Sequence, residues 1–220
     1  SSKKHNLDGM LNAINKDTKL IYICNPNNPT GTICDRNSLV SFIEKGSKDA
    51  FILIDEAYLD YTNEESLANI ALSNKNVIVT KTFSKMYGLA GARMGYAIAS
   101  EETIKKISKL KSWPNGNLSV LSTAVAIASL QDKNFIENVN SWNTKAKEYT
   151  VTELEKLDIK TISSSTNFLY FSIKNYKKDY HKQLELNNIK GSRIYEETGK
   201  WTRITIGTRN EMQKFIQALQ

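Results

Sequence analysis

The 220 residues carry 30 Lys and Arg against 23 Asp and Glu, a formal charge of +7, with 40% hydrophobic and 24% charged residues. That is ordinary for a globular chain able to bury a core as one large or two small domains. Two cysteines and two histidines exclude a disulfide framework and a zinc cluster, and leave a Ser-His-Asp triad hard to assemble.

No apolar run approaches the length of a membrane span, and the opening "SSKKHNLDGML" holds no apolar signal-peptide core. A cytoplasmic protein with no membrane partner is therefore expected. The charge suits anionic ligands, but Lys is scattered without a dense basic run, so nucleic acid is not expected as the partner. With so few histidines and cysteines, chemistry falls to lysine, carboxylates, tyrosine and a bound cofactor.

In chain order, a short helix precedes three apolar runs: "KLIYIC" (Lys19–Cys24), "FILID" (Phe51–Asp55) and "VIVT" (Val77–Thr80). Each is continuous rather than alternating, as a sheet covered on both faces requires, and each is separated from the next by a helical segment. Those helices are placed at Arg36–Lys45 and Glu65–Leu72, and a further strand at Met94–Ala99. The pattern predicts an α/β fold with a mostly parallel sheet sandwiched by helices. Helices follow in "EETIKKISKLK" and "SVLSTAVAIASLQ", broken at "SWPNGN" (Ser112–Asn117), then a long one from about Lys133 to Leu157. "NFLYFSI" and "WTRITIG" read as alternating strands, and "NEMQKFIQALQ" as a closing amphipathic helix. A large domain over residues 1–143 and a smaller α+β domain over 144–220 are expected.

Ligands of open α/β sheets collect beyond the C-terminal strand ends, and each core strand is followed there by polar residues. After the first comes "NPNNPTG", where Asn28 can present an amide to a ligand, although taken alone a rigid loop with backbone-capping asparagines is the plainer account. After the second comes "DEAYLDY". Asp55 there can accept from a protonated heterocycle and Tyr58 can hydrogen-bond a ring oxygen; a turn cap and a packed ring account for them equally. After the third comes "TKTFSKMYGLAGARMG". Thr82, Ser84 and Arg93 suit a phosphate. Lys85 can form a Schiff base with an aldehyde, and Gly88 and Gly91 permit a tight turn and close backbone approach. An amide, a carboxylate with a phenol, and a lysine with phosphate ligands are together what a pyridoxal 5'-phosphate site needs.

"NPNNPTG", "DEAYLDY", "TFSKMYGLAGARMGY" and "WTRITIGT" resemble, in order, the motifs of the fold-type I aminotransferases, nearest the histidinol-phosphate aminotransferase-like group. The resemblance runs almost from first residue to last. It implies Lys85 as the Schiff-base lysine, Asp55 as the pyridinium partner, and Asn28 and Tyr58 at the ring hydroxyl. Thr82, Ser84 and Arg93 would hold the cofactor phosphate and Arg203 the substrate carboxylate. In "TRITIG" the apolar Ile204 and Ile206 face one way, leaving Arg203 and Thr205 on the other face. Arg193 in "KGSRIY" lies near a second family arginine, which would put it at a distal acidic group of the substrate; a solvated arginine fits equally well.

The resemblance further implies amino-acid and 2-oxo-acid substrates and a homodimer with sites at its interface. Members of the family carry a substantial N-terminal portion before the point where this sequence starts. That portion supplies a glycine-containing phosphate loop, a ring-stacking aromatic and a tyrosine that reaches the neighbouring subunit. No strand–Gly loop–helix unit precedes Asn25, so a fragment, an incomplete gene product or a chain that lost its first part is expected. A decarboxylase or lyase on the same scaffold, and a non-catalytic fragment that packs with a partner chain, are the rival readings.

Overall fold

A computed structural model describes residues 3–110 and 118–220, and the predicted break at Ser112–Asn117 lies outside the described residues. The chain divides into two units, the first Ser1–Asn27 with Ile33–Lys133, the second Asn28–Thr32 with Asn134–Gln220. Sequence alone places one boundary, at 143/144. The division found here comes ten residues earlier in the long helix and also moves a five-residue segment of the first Asn-Pro loop into the second unit.

In the first unit, β1 (Leu20–Cys24), β2 (Phe51–Asp55) and β3 (Val77–Thr82) lie side by side and parallel. β4 (Gly95–Ala99) closes the sheet antiparallel to β3, giving the order β1-β2-β3-β4. Helices α1 (Leu7–Asn12), α2 (Arg36–Gly46) and α3 (Ala68–Ser73) pack over one face. There they bury Ile21, Ile23, Ile52, Ile54, Val77 and Val79. α4 (Glu101–Lys109) and α5 (Val120–Gln131) complete the unit. Asp35 and Ser100 cap α2 and α4 by accepting from the amides of Ser38 and Thr103.

On the other face Leu20 is 56%, Tyr22 52% and Phe51 37% exposed. In β1, β2 and β3 the residues turned toward these helices are the more deeply buried. α3 starts later than the predicted Glu65. The Glu56 carboxylate takes the Leu67 amide at 2.7 Å and the Ser66 hydroxyl at 2.6 Å, holding residues 65–67 in a loop.

In the second unit, α6 (Lys133–Lys156), α7 (Tyr180–Leu186) and α8 (Arg209–Leu219) accompany β5 (Lys160–Thr161), β6 (Phe168–Ser172) and β7 (Trp201–Thr205). The strands form an antiparallel sheet in the order β5-β6-β7. Leu154, Phe171, Leu184, Phe215 and Ile216 are central to its core. β7 alternates as predicted, with Thr202 and Ile204 buried. β6 does not, because Phe168, Leu169, Tyr170 and Phe171 are all buried. Its second face is covered by aromatic packing, Trp201 stacking on Tyr170 at 5.3 Å between ring centres. Among the described residues no helix is long and apolar enough to cross a membrane.

Candidate functional site

The parallel register of the first sheet brings three strand ends together, with Cys24 opposite Asp55 and Asp55 opposite Thr80. Asp55 is the last residue of β2, and both of its carboxylate oxygens are engaged. The Ala57 amide donates to Oδ1 at 3.1 Å and the Tyr22 hydroxyl to Oδ2 at 2.8 Å. Desolvation of the phenol, with the Asp55 bond second, raises Tyr22 far above the ordinary tyrosine range.

β3 ends at Thr82, and the turn beyond it carries Lys85. Thr82 Oγ1 accepts the Ser84 amide at 3.1 Å, which fixes the start of that turn. The Lys85 ammonium lies 5.4 Å from the centre of the buried Tyr58 ring. Asp55, Thr82, Ser84, Lys85 and Arg93 line one open depression of about 680 Å³. Gly88 has φ +67°, which only glycine adopts without strain, whereas Gly91 has open space and no such requirement. The close approach falls instead at Gly95, where a Cβ would meet the Lys81 carbonyl at 2.9 Å. Arg93, left-handed at φ 54°, is exposed and donates from Nη1 to the Ala90 carbonyl at 2.9 Å.

A second lysine, Lys81, lines the same depression, so the two must be told apart. Lys81 Nζ lies 3.0 Å from Asp60 and 3.6 Å from Glu56. Burial pulls this ammonium down, but the Asp60 and Glu56 carboxylates outweigh it and leave Lys81 above its ordinary value. A lysine held protonated by two carboxylates is a poor nucleophile.

Asn28, Arg203 and Arg193 belong to the second unit, where a separate cluster forms. Arg203 Nη1 donates to Asn28 Oδ1 at 2.6 Å, and its guanidinium lies 4.7 Å from the Phe168 ring centre and 5.7 Å from that of Tyr195. Arg193, itself exposed, lies 5.2 Å from the same Tyr195 ring. The Asn28 loop is tied down by the Ser165 amide, which donates to the Gly31 carbonyl at 2.8 Å. Lys147 holds that serine loop in turn, donating to the Ser164 carbonyl at 2.7 Å and that of Thr166 at 3.0 Å. Of the residues singled out in the sequence, five thus share the depression with Tyr58 beneath Lys85, and three share the arginine cluster. Asn28, grouped by sequence with the ring-binding residues, is found as the partner of Arg203.

Tyr22, Tyr195 and Lys147 escaped the sequence reading. For Tyr22 a signal exists: it stands two residues before Cys24 on the same strand face, and Cys24 is opposite Asp55. Using it requires the strand register.

Residues 1–219 match the family model described as aminotransferase class I and II. The histidinol-phosphate aminotransferase of Moorella thermoacetica is 35% identical over 224 residues, covering 99% of this chain and 57% of that protein. That of Caldicellulosiruptor saccharolyticus is 34% identical, covering 98% of this chain and 61% of the relative. This chain thus spans about three fifths of the length of these relatives. Among solved structures, histidinol-phosphate aminotransferase from Sinorhizobium meliloti in complex with pyridoxal-5'-phosphate superposes with a TM-score of 0.89 at 25% identity, over 100% of this chain and 61% of that one. A decarboxylase from Sulfurospirillum multivorans shares the fold alone, with a TM-score of 0.82 at 19% identity over 99% of this chain and 66% of its own.

Proposed function

Because the chain belongs to the aminotransferase class I and II family, we propose that it is the lysine-bearing and C-terminal part of a pyridoxal-phosphate-dependent aminotransferase. Its reaction would move an amino group between an amino acid, or a histidinol-phosphate-like amine, and a 2-oxo acid. The observation that carries this is the depression in which Asp55, Lys85, Thr82, Ser84 and Arg93 converge. The donor set fits the cofactor: one carboxylate, one amine and a hydroxyl–guanidinium group answer to its ring nitrogen, aldehyde and phosphate. What the cofactor would supply there is an electron-withdrawing ring that acidifies the α-C–H of an attached amine.

Asp55 would accept from the ring nitrogen and favour its protonated form, its carboxylate keeping a lone pair on each oxygen beyond the bonds from Ala57 and Tyr22. Lys85 Nζ would hold the cofactor's aldehyde and is the base that would move the α-proton. Thr82, Ser84 and Arg93 bind the phosphate, and Tyr58 and Asn28 serve the ring hydroxyl. Arg203 takes the substrate carboxylate with the remainder of its planar fork, while Arg193 meets a distal acidic group. A homodimer belongs to the same proposal.

Borohydride reduction of the chain mixed with pyridoxal phosphate, followed by peptide mapping, tests the assignment. The label is expected on Lys85; a label on Lys81, or none, overturns it. Conversion of an added 2-oxo acid to its amino acid separates amino transfer from decarboxylation.

A further inference from the structure

We propose that Tyr22 is a positioning residue for Asp55, its hydroxyl fixing the plane of the carboxylate that meets the cofactor's ring nitrogen. The inference rests on the function proposed above and concerns a residue that lies on a different strand from the acid it serves. A carboxylate turns about a broad, two-fold torsion, so one hydrogen bond leaves it free to rock. Asp55 has two, one from its own following loop and one from the neighbouring strand. The Ala57 amide, in the loop after β2, takes Oδ1 at 3.1 Å, and the Tyr22 hydroxyl, from β1, takes Oδ2 at 2.8 Å.

Register explains how a tyrosine reaches that oxygen. Tyr22 is paired with Leu53, and Asp55 with Cys24, so the phenol runs diagonally along the sheet to the residue two positions further on. Phenylalanine could not do this, and a shorter hydroxyl would not reach. Tyr22 lies on the sheet face away from the helix-covered core and is 52% exposed. Its hydroxyl nevertheless ends on Asp55, which lines the depression with Lys85. With both oxygens held, the remaining lone pairs point in fixed directions, which is what an acceptor for a single ring N–H needs.

The test uses Tyr22→Phe, which removes one oxygen and keeps the ring. Wild-type and variant chains are titrated with pyridoxal phosphate, and with an analogue whose ring nitrogen is replaced by carbon. Binding is followed by absorbance. Loss of a hydrogen bond to a charged group predicts that the variant binds pyridoxal phosphate about tenfold more weakly. Affinity for the carbon analogue should be the same in both chains, because that analogue makes no N–H bond to Asp55. Adding Tyr22→Phe to Asp55→Asn should weaken binding no further than Asp55→Asn alone. Equal weakening for both ligands would show a merely structural tyrosine and overturn the inference, as would no weakening for either. If the wild-type chain binds no pyridoxal phosphate, the proposed function falls, and this inference with it.

Discussion

Glu56 is the residue whose removal most directly tests how the Lys85 depression is built. It is 2% exposed, follows Asp55, and accepts from the Leu67 amide at 2.7 Å and the Ser66 hydroxyl at 2.6 Å. It also faces the Lys81 ammonium at 3.6 Å. Glu56→Ala leaves a buried amide without an acceptor, a cost of about 2 kcal/mol. The Lys81 attraction is roughly 4–5 kcal/mol gross at an effective dielectric of about 20, but desolvating the glutamate offsets most of it and leaves about 1 net. Lys81 keeps Asp60 at 3.0 Å, which limits the damage. The total is about 3 kcal/mol, which lowers the melting temperature by roughly 6–12 °C for a chain of this size. Glu56→Gln retains an acceptor for Leu67 and should cost about half as much. Circular dichroism melts give the stability. Hydrogen exchange localises the change, since the Leu67 amide should lose protection in the alanine variant and keep it in the glutamine one. A loss under about 1 kcal/mol in Glu56→Ala, or equal exchange at Leu67 in both variants, would refute the reasoning.

Gly95→Ala should destabilise by about 1–3 kcal/mol because its methyl meets the Lys81 carbonyl, while Gly91→Ala, in open space, should stay within about 0.5 kcal/mol in the same melts. Glu211 closes the capping box of α8 with Thr208, whose amide, then its hydroxyl, holds the carboxyl below its ordinary value. A depressed carboxyl contributes stability that is full above the unfolded pKa, near 4.3, and lost as pH falls through the folded one. The advantage over Glu211→Gln should therefore be about 0.5 kcal/mol at neutral pH, small because the group is exposed, and should vanish in denaturation at about pH 3. Arg203→Lys keeps the charge but loses the fork that Asn28 orients, so steady-state kinetics on the proposed amino-acid substrates should show KM raised about tenfold or more and kcat changed less.

Much of this was legible in the residues themselves. "FILID" matches β2 end to end, because an apolar β-branched run stops abruptly at a carboxylate. The meeting of Asp55 with Lys85 followed from the rule that parallel strands deliver their following loops to one edge. What could not be read depends on partners far away in the chain. α3 begins at Ala68 rather than Glu65 because Glu56, ten residues before Ser66, captures the Ser66 hydroxyl and the Leu67 amide. β6 is buried on both faces because Trp201 arrives from β7. Tyr22 looks like a core strand residue until the register with β2 is known, and the pairing of Asn28 with Arg203 leaves no local trace.

That last pairing joins residues 175 apart in sequence. At roughly 5–20 residues per second, the ribosome needs about 9–35 s after making Asn28 to deliver Arg203. The segment Asn28–Thr32 is therefore made with the first unit and waits for the second. A single cut after Lys133 would not separate two whole domains. It would leave these five residues behind and deprive Arg203 of its oxygen acceptor, so an isolated second unit needs the loop supplied in trans or stitched on by permutation.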